Sequence, residues 1–462
     1  MTSKKIISAL LCAAAVLGMT ACTDEQVSNP ASGGTAPSTT PVSSSTANTL
    51  DDDINNPVDI SDFVTDKTLD NPNLTYYGYY DMRVAGDIKP GVKLFEETYG
   101  GKIDYIYCSW NERIDGLQVL IAGGDSPDLV DREDISYPNL MSKNVYEDLT
   151  NYIDLSQPQW EDYIGLIEQY EYNGAHYYYP FTANALPNCL IYDKDLFHSL
   201  AITDPKQLYD EGNWTWDTFK QTMMQFTDLQ PGALGGVYGI VGNDIMMSTG
   251  TALIGIDDGK IVNNMDTADI DRAASYLMDL RREGLTVRGD GMWSNEPAPL
   301  AKGLVAFLGV GQWKITDFCK DYPDREFGFV PYPRDPNADK YYYNSSAFGY
   351  MVPKGSKNVE GAAAFINIMR ECNTDPELMA VVKESIMNDK QYTEEQYDFL
   401  TSFQDIGNFD MVVNVSGGFD ENLTGIIDDM LINLCFETDD DKGWAQLRGE
   451  WSSMITELIS GY

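Results

Sequence analysis

Aromatic and polar side chains follow the predicted strands in the first part of the chain, at the points where those strands end. Asp81 and Arg83 follow the first strand. Trp110 and Asn111 end the second strand, and Asp131 ends the third. Because ligands of parallel sheets lie beyond the carboxyl ends of the strands, we expect these side chains to meet at one cleft. Rings stack, and carboxylate, amide and guanidinium groups hydrogen-bond, so the set suits a ligand with C–H faces and hydroxyl edges.

The elements that position these side chains alternate between strand and helix. The hydrophobic pattern predicts strands over Leu74–Asp81, Lys102–Trp110 and Asp128–Asp131. Helices are predicted between them, over Lys89–Tyr99 and Arg113–Ala122, and each helix runs into a pair of glycines that ends it. The order strand, helix, strand, helix, strand predicts a parallel sheet covered by helices.

A tyrosine-rich stretch, Gly174–Phe197, follows this first set of elements. Its YYYP sequence leads into a small, uncharged run at Thr182–Ala185 and then into an apolar strand at Leu190–Tyr192. A wetted segment between strands suits a hinge beside a cleft. Pro and Tyr are equally common in ordinary edge strands, so both interpretations stay open on these residues alone.

Length and charge restrict the classes of protein to which the chain can belong. At 462 residues the chain exceeds what one hydrophobic core usually supports, and its 43% apolar content excludes general disorder. We therefore expect two lobes or domains. The net charge of -41 opposes nucleic acid and anionic lipid as partners, because nothing would neutralise their phosphates. A solvated, self-repelling surface explains the acidity, and binding of divalent ions is the alternative.

Cysteine and histidine form no metal-binding pattern. Cys108, Cys189, Cys319, Cys372 and Cys435 are widely spaced, and the chain has only two histidines. We predict that these cysteines are mostly small buried hydrophobic side chains, with at most one disulfide among them. We predict no bound metal and no cofactor.

The N-terminal residues have the pattern of a processed leader. Two lysines precede an apolar run over Ile6–Leu17, and small residues precede Cys22 in the sequence GMTAC. This sequence resembles the lipobox of bacterial lipoproteins, in which the cysteine becomes the lipidated first residue. The resemblance implies a signal peptide over residues 1–21, and ordinary cleavage after a small residue is the alternative. Residues 22–70 then form a lipidated cysteine with a flexible tether, rich in Ser, Thr, Pro and Gly where it begins.

Five stretches, in order along the chain, resemble the bacterial extracellular solute-binding proteins of family 1, of the lipoprotein type, that serve carbohydrate ABC transporters. They are AGGDSPDLV at Ala122–Val130, YYYPFTANALPNCLIYDKDLF at Tyr177–Phe197, NWTWDTFKQTMMQF at Asn213–Phe226, LAKGLVAFLGVGQWKI at Leu300–Ile315, and FGFVPYPR at Phe327–Arg334 with its continuation through Ser345–Met369. The matches cover roughly residues 74–370, and the remainder departs most from the family pattern.

The resemblance implies an α/β, periplasmic-binding-protein-like fold of two lobes, each a mostly parallel sheet flanked by helices, with the ligand cleft between them. It makes Gly174–Phe197 the first crossing between the lobes. The expected first lobe is 71–182 plus 327–370, and the expected second lobe is 183–326 plus 371–462.

Further helices are predicted in both expected lobes. Thr215 is expected to cap a helix, with Trp214 and Trp216 packed at its start. The other predicted helices are Val359–Met369, Glu394–Phe403, Asn422–Leu434 and Trp444–Leu458.

The resemblance also implies ligand contacts. Trp313 matches the Gly-x-Trp residue that stacks on the sugar from the second lobe. Asn184 matches a position just past the proline that hydrogen-bonds the ligand and is often a carboxylate in the family. Trp293 and Phe348 are further candidates, for which packing is an equal alternative. Tyr179 either lines the hinge or fills it.

The expected function is capture of a carbohydrate, an oligosaccharide in our interpretation, by closure of two lobes and its delivery to an ABC transporter permease. The expected protein is a monomer, held by the lipid on Cys22 at the outer face of the cell membrane. A cell-surface glycoside hydrolase is an alternative, because 72 carboxylates include many candidate acids and nucleophiles. Capture of a peptide or another solute is a second alternative. A scaffold protein would have repeats, and none is found.

Overall fold

The computed structural model describes the chain from residue 58, apart from short gaps. The described residues are 58–131, 136–182, 188–239, 241–257, 260–289, 297–311, 314–345, 347–390, 393–402, 409–413, 415–419, 421–436 and 442–461. The described residues from 58 onwards belong to one compact unit. Within the described ranges, no helix combines the length and the apolar character needed to cross a bilayer.

Strands occur from one end of the described chain to the other. In chain order they are β1 (Leu74–Gly78), β2 (Ile103–Tyr107), β3 (Leu129–Asp131), β4 (Asn188–Asp193), β5 (Gly235–Gly239), β6 (Ile254–Asp257), β7 (Lys260–Asn263), β8 (Thr286–Val287), β9 (Val305–Gly311), β10 (Phe327–Val330), β11 (Tyr341–Ser345), β12 (Tyr350–Met351) and β13 (Phe409–Val413).

Helices alternate with the strands and dominate the C-terminal part. They are α1 (Lys89–Tyr99), α2 (Arg113–Gly123), α3 (Ile164–Gln169), α4 (Lys194–Ser199), α5 (Pro205–Asp210), α6 (Trp216–Leu229), α7 (Gly242–Met247), α8 (Ala268–Arg282), α9 (Ala298–Ala301), α10 (Ile315–Asp321), α11 (Val359–Cys372), α12 (Pro376–Lys390), α13 (Glu394–Ser402), α14 (Glu421–Cys435) and α15 (Trp444–Ile459).

The first sheet has the strand order β12-β3-β1-β2. β1 pairs in parallel with both β2 and β3, whereas β12 runs antiparallel to β3. The predicted alternation of strand and helix over residues 74–131 is therefore confirmed. We call this sheet and the helices packed on it the first lobe.

Helix α1 begins and ends where its sequence requires. Pro90 lies in its first turn, where a missing backbone N–H costs nothing, and Gly100 ends it in the left-handed region at φ 69°. The helix packs closely on α11, because a side chain on Gly91 would overlap the sulfur of Met369. Phe95, on the same face of α1, also contacts α11.

The second sheet has the order β10-β4-β9-β5-β8. β5 runs parallel to β8 and β9, and β4 runs antiparallel to β9 and β10. We call this sheet and its helices the second lobe. The expected division put residues 327–370 in the first lobe, but β10 pairs with β4, with Val330 opposite Leu190. That expectation was wrong for β10, because the pattern of a short apolar strand does not specify its partner.

A second correction concerns α12, which we expected in the second lobe with the rest of residues 371–462. The helix packs on α1 and α11 of the first lobe. Its Asp389 carboxylate accepts a 3.3 Å hydrogen bond from the backbone N–H of Gly86, just before α1. The other expected lobe boundaries stay predictions.

The start of α6 agrees with the sequence. Thr215 is the N-cap residue of a capping box with Thr218. Trp214 and Trp216 are both buried, and their indole N–H groups donate to Pro331 O and to Ser248 Oγ, at 2.8 and 2.9 Å. The tryptophans therefore pack at the helix start, as predicted.

The predicted C-terminal helices are confirmed as α13, α14 and α15. The last helix buries Leu447, Trp451 and Ile455, while the indole N–H of Trp444 donates to Asp271 Oδ1 at 2.7 Å. This region also contains β13, which pairs in parallel with β11.

None of the five cysteines in the described part of the chain forms a disulfide, and four of them are buried. The prediction of small buried side chains is confirmed for those four, and Cys319 is half-buried.

Candidate functional site

The carboxyl ends of β1, β2 and β3 lie side by side at one edge of the first sheet. Their register aligns Gly78 with Tyr107 across β1 and β2, and Tyr77 with Val130 across β1 and β3. Trp110, Asn111 and Asp131 therefore lie at this edge, as predicted, whereas the Arg83 guanidinium lies 5.9 Å from the ring centre of Tyr105, in the middle of β2. We call this edge of the sheet the first-lobe edge.

Trp110 is an exposed aromatic residue of the first-lobe edge, where Tyr107, which ends β2, is also exposed. Its side chain is 51% exposed although two neighbours hold the ring in place. The Tyr79 ring meets it edge to face at a centroid distance of 4.8 Å, and the Arg113 guanidinium lies 3.6 Å from its centre. An indole fixed in this way loses little entropy on binding, so it suits stacking against an apolar ligand face.

Asn111 follows Trp110 in a turn of 3-10 helix, Trp110–Glu112, and is exposed. Ser109 precedes the turn and its hydroxyl donates to Glu112 Oε2 at 2.7 Å, which steadies the turn. The amide of Asn111 is thus accessible beside the indole. Its contact with a ligand stays a prediction.

Asp131 ends β3 and is almost completely buried, at 3% exposure. The Tyr80 hydroxyl donates to Asp131 Oδ1 at 3.0 Å and lies 3.4 Å from the Tyr350 hydroxyl. Burial raises the pKa of both tyrosines well above the usual value, and the nearby carboxylate raises it further. The two phenols therefore stay protonated, and Tyr80 remains a donor to Asp131.

A depression of about 10 Å³ opens at the first-lobe edge. It is lined by Tyr77, Gly78, Cys108, Arg113, Ile114, Leu117, Val130, Asp131 and Tyr146. Most of the lining is apolar, and Asp131 and Arg113 supply its charged groups. The depression has room for about one water molecule, so it does not accommodate a sugar ring.

Asp81 and Arg83 bind each other directly after β1. Arg83 Nη2 lies 2.7 Å from Asp81 Oδ2, and its Nε lies 2.9 Å from Oδ1. The bidentate contact raises the pKa of Arg83. A ligand would therefore meet the two residues as one neutral pair rather than as two separate charges. Their role in binding stays a prediction.

Tyr179 and Phe348 belong to the crossing between the sheets. Tyr179 is 1% exposed and its ring packs edge-on against Trp160 at 5.8 Å, so it fills the core rather than facing a ligand. Phe348 is half-buried, and its ring packs against Phe181 at 5.3 Å. Packing explains both residues. For Tyr179, the expectation of ligand contact conflicts with its burial.

The remaining predicted residues lie outside the described part of the chain. They are Asn184, Trp293, Trp313 and the lipidation site Cys22. Their proposed roles stay predictions.

Sequence reasoning missed a buried polar pair at the matching edge of the second sheet. Asn188 lies opposite Gly311, the last residue of β9, and its Nδ2 lies 3.1 Å from both carboxylate oxygens of Asp244. Asp244 is 2% exposed, and burial raises its pKa to about 7. We looked for site residues at the carboxyl ends of strands, so Asn188 was missed. It lies at the amino end of β4, which reaches this edge because β4 is antiparallel. The signal for Asp244 was its position shortly after β5.

Metal coordination has no support among the described residues. None of them form a group of three or more His, Cys, Asp or Glu side chains that could hold an ion. The site therefore offers rings, hydroxyls, amides and carboxylates to a ligand, which is the chemistry of reversible polar binding with stacking.

Comparison with known families identifies the class. The model of the bacterial extracellular solute-binding proteins matches residues 92–390, which is more than half of the chain. The chain belongs to this family of extracytoplasmic proteins. No curated protein has a matching sequence.

Solved structures share the fold at low sequence identity. The ABC substrate-binding protein Lmo0181 from Listeria monocytogenes, in complex with cycloalternan, is 18% identical with a TM-score of 0.59, over 86% of this chain and 100% of that one. The sugar-binding protein MalE from Xanthomonas citri is 15% identical with a TM-score of 0.62, over 84% and 98%.

A third structure is the galacto-N-biose-/lacto-N-biose I-binding protein from Bifidobacterium longum, in complex with lacto-N-biose. It is 16% identical with a TM-score of 0.60, over 84% of this chain and 97% of that one. The likeness establishes the two-lobed, periplasmic-binding-protein-like fold.

Proposed function

We propose that this protein captures a carbohydrate, most suitably an oligosaccharide, by closure of its two lobes, and delivers it to the permease of an ABC transporter. The observation that carries the proposal is Trp110, a half-exposed indole held at the first-lobe edge by Tyr79 and Arg113. Sugar C–H faces stack on aromatic rings, and a ring that is already fixed by its neighbours loses little entropy when it binds.

The polar partners of a sugar are available beside this ring. Asn111 is exposed next to Trp110 and Arg113 lines the depression, whereas Asp131 is only 3% exposed and is held by the Tyr80 hydroxyl. A site built from such groups rejects analogues that lack a hydroxyl, because its own polar atoms would then stay unpaired. Trp313 and Asn184 complete the proposed site from the second lobe and the crossing, by resemblance to the family.

Several neighbours with known ligands hold oligosaccharides, and one holds the monosaccharide α-D-tagatose. The Listeria protein holds cycloalternan and the Bifidobacterium protein holds lacto-N-biose. The depression at the first-lobe edge has room for about one water molecule, so the ligand would lie along the cleft outside it. Ligand contacts on both lobes would favour the closed form, and the permease would recognise that form.

We further propose that a lipid on Cys22 anchors a monomer at the outer face of the cell membrane, and that residues 23–57 tether the globular part. The expected tether ran to residue 70, but residues 58–70 belong to the globular part, because Ile60 is 1% exposed and packs in the first-lobe core. A tether rich in Ser, Thr, Pro and Gly does not fold, so it lets the globular part move relative to its anchor. Multiple acyl chains hold such an anchor stably in the membrane. We propose no catalytic activity, since the family consists of binding proteins.

Calorimetry and tryptophan fluorescence of the mature protein test the proposal. The panel contains maltotriose, lacto-N-biose, cycloalternan and monosaccharides, with a dipeptide set as the control class. We expect stoichiometric binding of at least one oligosaccharide without turnover. Release of shorter sugars would instead establish a glycoside hydrolase. Binding of peptides alone would contradict the carbohydrate function.

A further inference from the structure

The chain leaves the first sheet and enters the second between Thr182 and Asn188. On the first-lobe side, the N–H of Phe181 donates to Phe348 O at 2.9 Å, and the N–H of Phe348 donates to Thr182 O at 2.8 Å. Phe348 lies two residues before β12 of the first sheet. The crossing strand is therefore part of the first lobe up to Thr182.

Arg370 holds this end of the crossing from inside the core. It lies near the end of α11, is 3% exposed, and its Nη1 donates to Phe181 O at 2.9 Å. Its Nε donates to Gln159 O at 2.7 Å, and its guanidinium lies 3.5 Å from the centre of the Tyr163 ring. Phe181 is thus bound at its N–H by Phe348 and at its carbonyl by Arg370.

The position of this arginine is unusual for a buried cation. Among the described residues, no carboxylate forms an ion pair with Arg370, and burial lowers its pKa. Burial of a charge is costly unless hydrogen bonds and favourable electrostatics offset it. Two carbonyls and the face of Tyr163 supply that compensation, and one of the carbonyls belongs to the crossing strand.

The second-lobe end of the crossing has a matching anchor. Asn188 is the first residue of β4, and its amide donates to both oxygens of Asp244. Asn188 is 7% exposed and Asp244 is 2% exposed. Asp244 lies in α7, so the contact joins the start of β4 to a helix of the same lobe.

We infer that Arg370 and Asp244 are positioning residues for lobe closure, each of which ties one end of the crossing to the core of its own lobe. The inference rests on the proposed function only in that closure accompanies binding. With both ends held, each part of the crossing strand moves with its own lobe as a rigid body. Loss of either anchor lets the lobe ends shift and changes the distribution between open and closed forms.

Spin-label distances between the lobes test the inference. Labels are placed at Val119→Cys on α2 and Met224→Cys on α6, both at exposed positions on the two lobes. The distance distribution is measured without sugar and with lacto-N-biose or maltotriose. The variants are Arg370→Met, Arg370→Lys and Asp244→Ala. Arg370→Lys keeps the positive charge and replaces Arg370→Met in the experiment if that variant does not fold.

Arg281 provides a matched control. It is also buried, at 7% exposure, and its Nη1 donates to Asn433 O at 2.6 Å, near the end of α14. Arg281→Met therefore removes a buried guanidinium and its carbonyl contact without touching the crossing. It should lower stability and leave the interlobe distances unchanged.

Hydrogen exchange in the ligand-free protein gives an independent readout. We expect the amides of Phe181 and Phe348 in Arg370→Met to exchange about tenfold faster, which corresponds to the loss of one hydrogen bond to a charged donor. The Arg281 variant should leave these rates unchanged.

The outcomes separate the inference from the proposed function. If the wild-type distances respond to sugar and the Arg370 and Asp244 variants shift the ligand-free distribution, both stand. Unchanged distances and exchange rates in those variants, or equal changes in the Arg281 control, overturn the inference. Wild-type distances that respond to no sugar contradict the proposed function. A shifted ligand-free distribution would in that case still support the anchors.

Discussion

The side-chain amide of Asn188 donates to both carboxylate oxygens of Asp244, each at 3.1 Å, in a site closed to solvent. No cation forms an ion pair with Asp244 among the described residues. One neutral amide compensates poorly for a buried negative charge, so burial raises the pKa of Asp244 to about 7. The protonation state of this pair therefore changes near neutral pH.

This titration predicts a pH-dependent stability. The unfolded pKa is near 3.8 and the folded pKa about 7, so the folded state holds the proton over that interval. The stabilisation is complete below the unfolded pKa and is lost as the pH rises through the folded pKa. Between about pH 5 and pH 8, we expect the free energy of unfolding of wild type to fall by about 2–3 kcal/mol relative to that of Asp244→Asn. Urea unfolding of both proteins across this range measures the difference.

The groups around Asp244 do not obscure this measurement. Burial raises the pKa of Cys435 to about 12 and raises those of Cys189 and Tyr332 further above neutrality. These three side chains stay protonated throughout the range. A stability difference that is independent of pH would contradict the raised pKa of Asp244.

Trp110→Ala should weaken sugar binding by about tenfold or more, equivalent to roughly 1.4 kcal/mol, because it removes the stacking face at the first-lobe edge. The folded state should be little affected, since the indole is 51% exposed. Tyr152→Ala is the matched control, as this ring is 49% exposed and lies outside the ends of the three strands. Calorimetry that finds equal affinities for both variants would remove Trp110 from the site.

Trp313→Ala should cost most of the sugar affinity while the unfolding midpoint stays close to that of wild type. The expectation follows from the resemblance of LGVGQW to the family motif whose tryptophan stacks on the sugar. Fluorescence titration with the sugar that wild type binds provides the measurement. Unchanged affinity would contradict the assignment of this residue.

Trp214→Phe should lower the free energy of unfolding by about 1–3 kcal/mol, since it leaves the buried Pro331 carbonyl without its indole donor. Trp216→Phe should cost less, because Ser248 Oγ keeps its own 2.7 Å hydrogen bond to Ile245 O. Neither variant should change sugar affinity. Denaturant unfolding compares the two, and a larger loss for Trp216→Phe would contradict this ranking.

Cys22→Ser should move the protein from the membrane fraction to the soluble fraction of cells, because a serine cannot carry the thioether-linked lipid. Fractionation with and without detergent shows the change. Sugar binding should persist, since the described globular part begins far from Cys22 in the chain. Retention of the variant in the membrane would contradict the lipid anchor.

Local signals in the sequence predicted the elements that depend only on neighbouring residues. Helix α1 was predicted over its full length, because Pro90 and Gly100 act within one turn of its ends. Trp110, Asn111 and Asp131 were correctly predicted to meet at one edge, since parallel strands bring their carboxyl ends together.

Contacts between distant residues were decided by the tertiary structure alone. The sequence predicted β10 as a strand but not its pairing with β4, because an apolar pattern carries no information about the partner. Asn188 was not predicted as a site residue, because β4 is antiparallel and its amino end lies at this edge of the second sheet. The Tyr80 hydroxyl donates to the buried Asp131, which is 51 positions away in the chain. Arg370 donates to the carbonyl of Phe181, which is 189 positions away. Folding brings such groups together through packing of the whole core, and no local pattern encodes that meeting.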